Sequence, residues 1–287
     1  MLSRRHERRY PDQFSETTYK ILLCLIFLYC FFHLLLSAHR HTKLLIIYAD
    51  KNSKGYMQDK FSCTVVDWNY AYDLCKDASE EIKATGFQPE VVVGVARGGW
   101  FLARNLCDFF LLKDLLSLKM EHWGIAATIT GDAKLKYGLD DRAREIIKGK
   151  RVLIADDITD TGDSLKFVVE YVKSLKARDV KTVTMQHKTS SAFIPDFYGE
   201  LISDWKWVVY PWSIHEDVMG LLERIMDKEG EGVSLHDLKT AMKAEFDFYV
   251  PHHLLREVLE NMAFHGKIRI KSERKKEGEE GEVWLLC

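Results

Sequence analysis

Apolar and polar positions change period several times along this chain, and each change marks an element. Tyr70, Leu74, Cys75, Ala78 and Ile82 recur at helical spacing and predict an amphipathic helix ending near Gly86. Residues 91–96 are a continuous apolar run, as expected for a parallel strand buried on both faces, and they lead through Arg97, Gly98 and Gly99 into a helix over 101–110. Residues 115–120 and 125–130 read as paired strands, with His122, Trp123 and Gly124 between them. From 130 to 144 the chain turns polar, with Gly131, Lys134, Lys136 and Gly138, and predicts a loop. Val152, Leu153, Ile154 and Ala155 then run as a strand into two carboxylates, a short Thr, Asp and Gly loop, and a helical pattern at Leu165, Val168, Val169 and Val172. Another strand follows over 180–185, and the tryptophan-rich stretch 205–212 closes the unit.

The two ends differ from this middle. Arg4, Arg5, Arg8 and Arg9 precede an apolar run over 21–38, just long enough to cross a bilayer and interrupted by His33. Residues 1–56 are therefore either a membrane-anchored extension or an upstream addition without function. Arg40, Lys43, Lys51 and Lys54 balance the basic residues on the other side of the run, so charge alone hardly decides the orientation of an anchor. At the other end, Ser213-Ile214-His215-Glu216 reads as a capping box opening a helix through Met226. Ser234 and Pro251 open two more helices, and residues 268–270 with 283–286 suggest a two-stranded wing around a charged tip.

Composition narrows the choices. With 287 residues, 47% of them hydrophobic, the chain can bury one substantial core and a second small one. A formal charge of -2 exerts no general pull toward nucleic acid or acidic membranes. The six cysteines are scattered without a C-x-x-C pair, so neither structural zinc nor disulfides are indicated, and a cytoplasmic, reducing setting is expected.

The chemistry concentrates at Asp156-Asp157-Ile158-Thr159-Asp160-Thr161-Gly162-Asp163-Ser164. A loop between a parallel strand and a helix presents backbone amides and the positive end of the helix dipole, which suits a phosphate. Thr161, Gly162, Asp163 and Ser164 supply amides and hydroxyls there. Asp156 and Asp157 would repel the same phosphate and suit instead a pair of vicinal hydroxyls. A phosphate and a diol on one ligand describe a ribose 5-phosphate.

This run resembles the motif of type I phosphoribosyltransferases that binds 5-phosphoribosyl 1-pyrophosphate (PRPP). The resemblance implies an α/β fold, a parallel sheet with helices on both faces and the ligand at the carboxyl ends of its strands. It assigns the ribose hydroxyls to Asp156 and Asp157, the 5-phosphate to residues 160–164, and contact with the incoming base to Asp160. The Arg97-Gly98-Gly99 loop would hold pyrophosphate through backbone amides, often with unusual peptide geometry. The polar stretch 130–144 would be a lid, with Lys134 or Lys136 able to reach the pyrophosphate. Magnesium fits as cofactor because it prefers hard oxygens, with Asp156 and Asp157 at the metal and sugar.

Within that family the purine branch, and most closely the xanthine-guanine enzymes, places a Lys after the next strand to donate to the 6-oxo group, and an aromatic residue later to stack on the ring. Lys188 and Trp207 match by position, with the backbone of Val208 beside the base edge. An acid two residues after the stacking Trp in that branch is Val209 here, so the metal or pyrophosphate contact of that acid has no counterpart. The expected domains are thus an extension over 1–56, a phosphoribosyltransferase domain over 57–212 and a small α+β tail over 213–287 that resembles a winged helix. The tail carries eleven Lys and Arg against sixteen Asp and Glu, which disfavours a DNA-binding face and favours protein contact or dimerisation, in keeping with a homo-oligomer. Two functions follow: transfer of phosphoribose from PRPP to a 6-oxopurine in purine salvage, or a PRPP-sensing regulator without turnover.

Overall fold

The structure is a computed structural model and describes residues 60–123, 129–230, 232–274 and 280–287. The extension over 1–56, with its apolar run at 21–38, lies outside the described residues. Among those described, no helix is long and apolar enough to cross a membrane.

Strand β1 (Cys63–Val65) leads to helix α1 (Trp68–Ala84), whose first turn is capped by Asp67 accepting from the Tyr70 amide at 2.8 Å. The predicted stripe of Leu74, Cys75, Ala78 and Ile82 is the face it buries. Strand β2 (Val91–Ala96) and helix α2 (Gly99–Phe109) follow, then β3 (Leu115–Trp123) and β4 (Ile129–Tyr137). Helix α3 (Asp141–Ile147) is capped by Asp140, and β5 (Arg151–Thr159) runs into α4 (Asp163–Ser174). Strands β6 (Asp179–Lys188), β7 (Phe197–Ile202) and β8 (Trp207–Val209) complete this part.

Two expectations change here. Residues 130–144 are mostly strand β4 and helix α3 rather than a loop. Strand β4 lies at the edge of the sheet and pairs antiparallel with β3, with irregularities in its register. Lys136 is held by Glu121 of the neighbouring strand. Strand β7, unannounced in the pattern, pairs with β6 because Gly199 lets it lie against α1, where a Cβ would fall 2.5 Å from the Leu74 carbonyl.

The sheet order is β4-β3-β2-β5-β6-β7, parallel except for the β3–β4 pair. Alternate side chains of the central strands feed two cores. Val92, Leu153, Ala155, Val183 and Met185 meet α1 and α2, while Val93, Val95, Val152 and Ile154 meet α3 and α4. Each large aliphatic side chain buried in this way contributes about 1.5–3 kcal/mol. The chain leaves β2 toward β3 on one side and returns to β5 on the other. That reversal opens a crevice at the carboxyl ends of β2 and β5, the usual ligand position in such sheets.

The remaining residues form α5 (Ile214–Glu229), β9 (Val233–Ser234), α6 (Leu235–Phe246), α7 (His252–Phe264), β10 (Ile268–Arg274) and β11 (Glu280–Leu286). The hairpin gains β9 as a third strand in the order β10-β11-β9. Phe61 and Val209 share a core with Val218, Leu222, Phe246 and Trp284, so the packing crosses the boundary expected at 212/213. The capping box at Ser213 is not formed: Ser213 makes no side-chain bond to the helix backbone, and its hydroxyl donates to Asp217 at 2.8 Å. Glu216 turns instead to Arg97.

Candidate active site

Asp156 and Asp157 are the sixth and seventh residues of β5, half-buried at the mouth of the crevice. Asp156 accepts from the Asp157 amide at 3.0 Å and Asp157 from the Ile158 amide at 2.9 Å. Burial, together with the adjacent Asp157 charge, pushes the Asp156 carboxyl well above its ordinary range. Burial raises Asp157 as well, against hydrogen bonds that favour its charged form. Two carboxylates resisting ionisation side by side have room for a compensating dication or for hydroxyl donors. They are hard oxygens of the kind magnesium takes, one or two carboxylates completed by substrate phosphate oxygens.

The neighbouring strand reaches the same point. The Ala96–Arg97 peptide at the end of β2 is cis. Gly98 lies so close to Asp157 that a Cβ would stand 1.7 Å from its Oδ2. Beyond the acidic pair, Gly162 precedes α4 with φ of 87° and packs under Phe193, a backbone state and a proximity that only glycine accepts without strain. The start of α4 borders the crevice through Gly162, Ser164 and Leu165, where a helix has amides without intrahelical partners. Ser164 and Thr161 line it; Asp163 does not, its side chain remaining exposed on the first turn while its amide lies 3.4 Å from Thr161 Oγ1.

On the opposite wall, Lys188 ends β6 with 1% of its surface exposed. Its Nζ pairs with Asp160 Oδ2 at 2.9 Å and sits 4.8 Å from the Trp205 ring centre. Trp205 Nε1 donates to Asp160 Oδ1 at 3.2 Å. Burial lowers the Lys188 pKa, and the Asp160 charge works against that shift. A buried lysine with one carboxylate partner keeps further N–H donors for a ligand. Trp207 and Val208 border the same space, and Val209 is fully buried toward the C-terminal core, away from it.

Several contributors had no sequence signal of their own. Tyr210 donates to Gln186 at 2.6 Å and reaches the Asp157 carbonyl at 3.4 Å, supporting the acidic pair from below. Trp212 stacks on Tyr210 with ring centres 4.7 Å apart. From α5, Asp217 accepts from Trp207 Nε1 at 2.9 Å, and Glu216 pairs with Arg97 at 2.6 Å. Desolvation pushes the Asp217 carboxyl up to about 6, against the bonds from Trp207 and Ser213.

The result is one cleft of about 730 Å³ bordered by Arg97, Gly98, Asp156, Asp157, Asp160, Thr161, Gly162, Ser164, Lys188, Trp207 and Val208. A parallel sheet thus gathers carboxylates, a glycine-led helix terminus and a buried lysine at its switch point, where such sheets bind their ligands. Residues 63–217, more than half of the chain, match the family described as the phosphoribosyl transferase domain. The chain belongs to that family and is a phosphoribosyltransferase.

The chain is similar to several known proteins. Xanthine phosphoribosyltransferase 1 of Saccharomyces cerevisiae is 22% identical over 190 residues, covering 53% of this chain and 90% of the relative. Hypoxanthine-guanine phosphoribosyltransferase of Lactococcus lactis is 31% identical over 115 residues, 38% of this chain and 59% of the relative. Among solved structures, the purine phosphoribosyltransferase of Pyrococcus horikoshii is similar with a TM-score of 0.45 at 26% identity, covering 53% of this chain and 94% of that one.

Proposed function

We propose that the protein transfers the 5-phosphoribosyl group of PRPP to a 6-oxopurine, with release of pyrophosphate, as a purine salvage enzyme. The observation that carries this reading is Lys188, buried in the wall of the cleft and tied to Asp160 at 2.9 Å. An ammonium can donate to a 6-oxo group but has no lone pair with which to accept from an adenine amino group, so it selects oxopurines. Trp207 supplies a ring face, which adds affinity without choosing among purines.

The base nitrogen attacks the anomeric carbon, the bond from that carbon to the pyrophosphate oxygen breaks, and the nitrogen's proton passes to Asp160. Residues 160–164 hold the 5-phosphate at the start of α4, Asp156 and Asp157 hold the ribose hydroxyls, and Arg97 with Gly98 takes the pyrophosphate. Magnesium, held by Asp156 and Asp157, would offset the charge of the departing pyrophosphate. The names of relatives that act on xanthine, hypoxanthine and guanine support the oxopurine class.

The order helix, strand, helix, helix, hairpin after residue 213 supports a winged-helix-like module, and its excess of acids supports protein contact, including self-association, over DNA. That order also keeps a PRPP-sensing regulator as the second reading. Incubation of the full chain with PRPP, magnesium and each of guanine, xanthine, hypoxanthine and adenine tests the choice. The enzyme reading expects a nucleoside 5-monophosphate by mass with the oxopurines; PRPP binding with no product from any base overturns it. A cytoplasmic location accords with an intracellular substrate.

A further inference from the structure

The first turn of α5 brings to the cleft a side chain that the proposed reaction leaves unused. Asp217 is 5% exposed and borders the same cleft as Lys188 and Asp160. Both of its oxygens are engaged: Oδ1 accepts from Trp207 Nε1 at 2.9 Å and Oδ2 from the Ser213 hydroxyl at 2.8 Å. Trp207 itself opens β8, where its backbone is registered against Cys63 of β1. Pairing with β1 fixes the main chain of Trp207, but an indole still turns about two side-chain torsions. The bond to Asp217 ties the far edge of the ring and leaves one orientation.

Orientation matters because stacking depends on the ring presenting its face, not its edge, to a planar ligand. We propose that Asp217 is a positioning residue for the purine, holding the Trp207 indole in the plane that stacks on the base, so that α5 and the C-terminal unit form part of the active site. This rests on the assignment of Trp207 as the base platform. One further fact favours it over a mere staple between α5 and β8. The next residue back, Glu216, meets Arg97 at 2.6 Å, so the same helical turn touches the base side and the pyrophosphate side of the cleft at once.

The test is steady-state kinetics on the full chain with PRPP saturating and guanine varied. Loss of a hydrogen bond to a charged acceptor in Asp217→Ala is expected to raise KM for guanine by ~10- to 100-fold, with kcat and KM for PRPP within a few-fold of the parent. Asp217→Asn, whose amide oxygen still accepts from the indole, is expected to remain within a few-fold of the parent. In a Trp207→Phe background, which lacks the donor, neither Asp217 substitution should change KM further. An unchanged KM for guanine in Asp217→Ala, an equal rise in KM for PRPP, or additive effects in Trp207→Phe would overturn the proposal. Should Asp217→Ala fail to fold, the comparison is made with Asp217→Asn alone: a few-fold rise in KM that vanishes in Trp207→Phe supports the proposal, and a rise that persists there overturns it. Absence of base-dependent turnover in the parent overturns both this inference and the transfer reading, whereas an active parent with an insensitive Asp217 overturns the inference alone.

Discussion

Replacing Asp217 by Asn removes a charge that the fold holds against its preference, and the stability change can be worked out. In the unfolded chain an Asp carboxyl titrates near 3.8; in the native protein desolvation, with the nearby Glu216 and Asp157 charges, raises it to about 6, while the bonds from Trp207 and Ser213 only partly compensate. The native state therefore takes up this proton more readily than the unfolded state. Stability from this group is greatest when it is protonated, falls as pH rises from 3.8 toward 6, and is flat above. At 1.36 kcal/mol per pH unit the penalty near neutrality is ~3 kcal/mol. Asn is nearly isosteric, can accept from Trp207 through its oxygen and donate to Ser213 through its nitrogen, and carries no charge. Asp217→Asn is thus expected to be more stable than the parent by ~1–3 kcal/mol at pH 8, allowing for the weaker bond to a neutral acceptor, with the gain shrinking toward zero near pH 4. Urea unfolding followed by tryptophan fluorescence at several pH values measures it, with the denaturant slope checked for constancy. A variant less stable than the parent at pH 8, or a difference that does not change with pH, would refute the reasoning.

Other perturbations probe the rest of the cleft. Asp160→Asn should keep PRPP binding, measured by equilibrium dialysis, and lower kcat by ~100- to 10,000-fold if Asp160 takes the proton from the base. Lys188→Ala leaves the half-buried Asp160 without its cation; urea unfolding should show a loss of ~1–3 kcal/mol, and the preference for guanine over adenine should collapse. Glu216→Gln frees Arg97 from an exposed ion pair and removes a carboxylate from the pyrophosphate side, so KM for PRPP should fall ~2- to 5-fold at low salt and less at high salt. Gly98→Ala places a Cβ 1.7 Å from Asp157 Oδ2, and the displaced carboxylate should raise KM for PRPP by about 10-fold or more.

Reading by period worked where one environment persisted over several residues. The apolar runs of β2 and β5 lie buried on both faces, so they stand out, and the motif after β5 follows with its loop and helix. The stripe of α1 was legible for the same reason. Strand β4 gave no signal because Gly131, Asp132, Lys134, Lys136 and Gly138 read locally as a loop, whereas its strand state comes from pairing with β3. The site divides in a similar way. Asp156, Asp157 and residues 160–164 are contiguous, so one run of sequence contains their geometry. Lys188 and Trp207 were placed by resemblance, but the depth of Lys188 and its pairing with Asp160 depend on how β6 sits beside β5, which no local pattern encodes. Ser213 and Glu216 illustrate the limit most clearly. Their spacing is that of a capping box, but Ser213 turns to Asp217 one helical turn on and Glu216 to Arg97 of the neighbouring loop. Trp205, whose indole donates to Asp160, stood in plain view within a run of tryptophans, where nothing distinguished a partner of that carboxylate from a core aromatic.

The central claim is that a buried ammonium chooses the base. The direct measurement is kcat/KM of the full chain, with magnesium and saturating PRPP, for pyrophosphate release driven by guanine, xanthine and hypoxanthine against adenine. A site built to donate to an oxo group should favour the oxopurines by roughly 10,000-fold or more, since adenine leaves the remaining N–H donors of the ammonium without an acceptor. Equal use of adenine, or release that ignores the base supplied, would contradict the account.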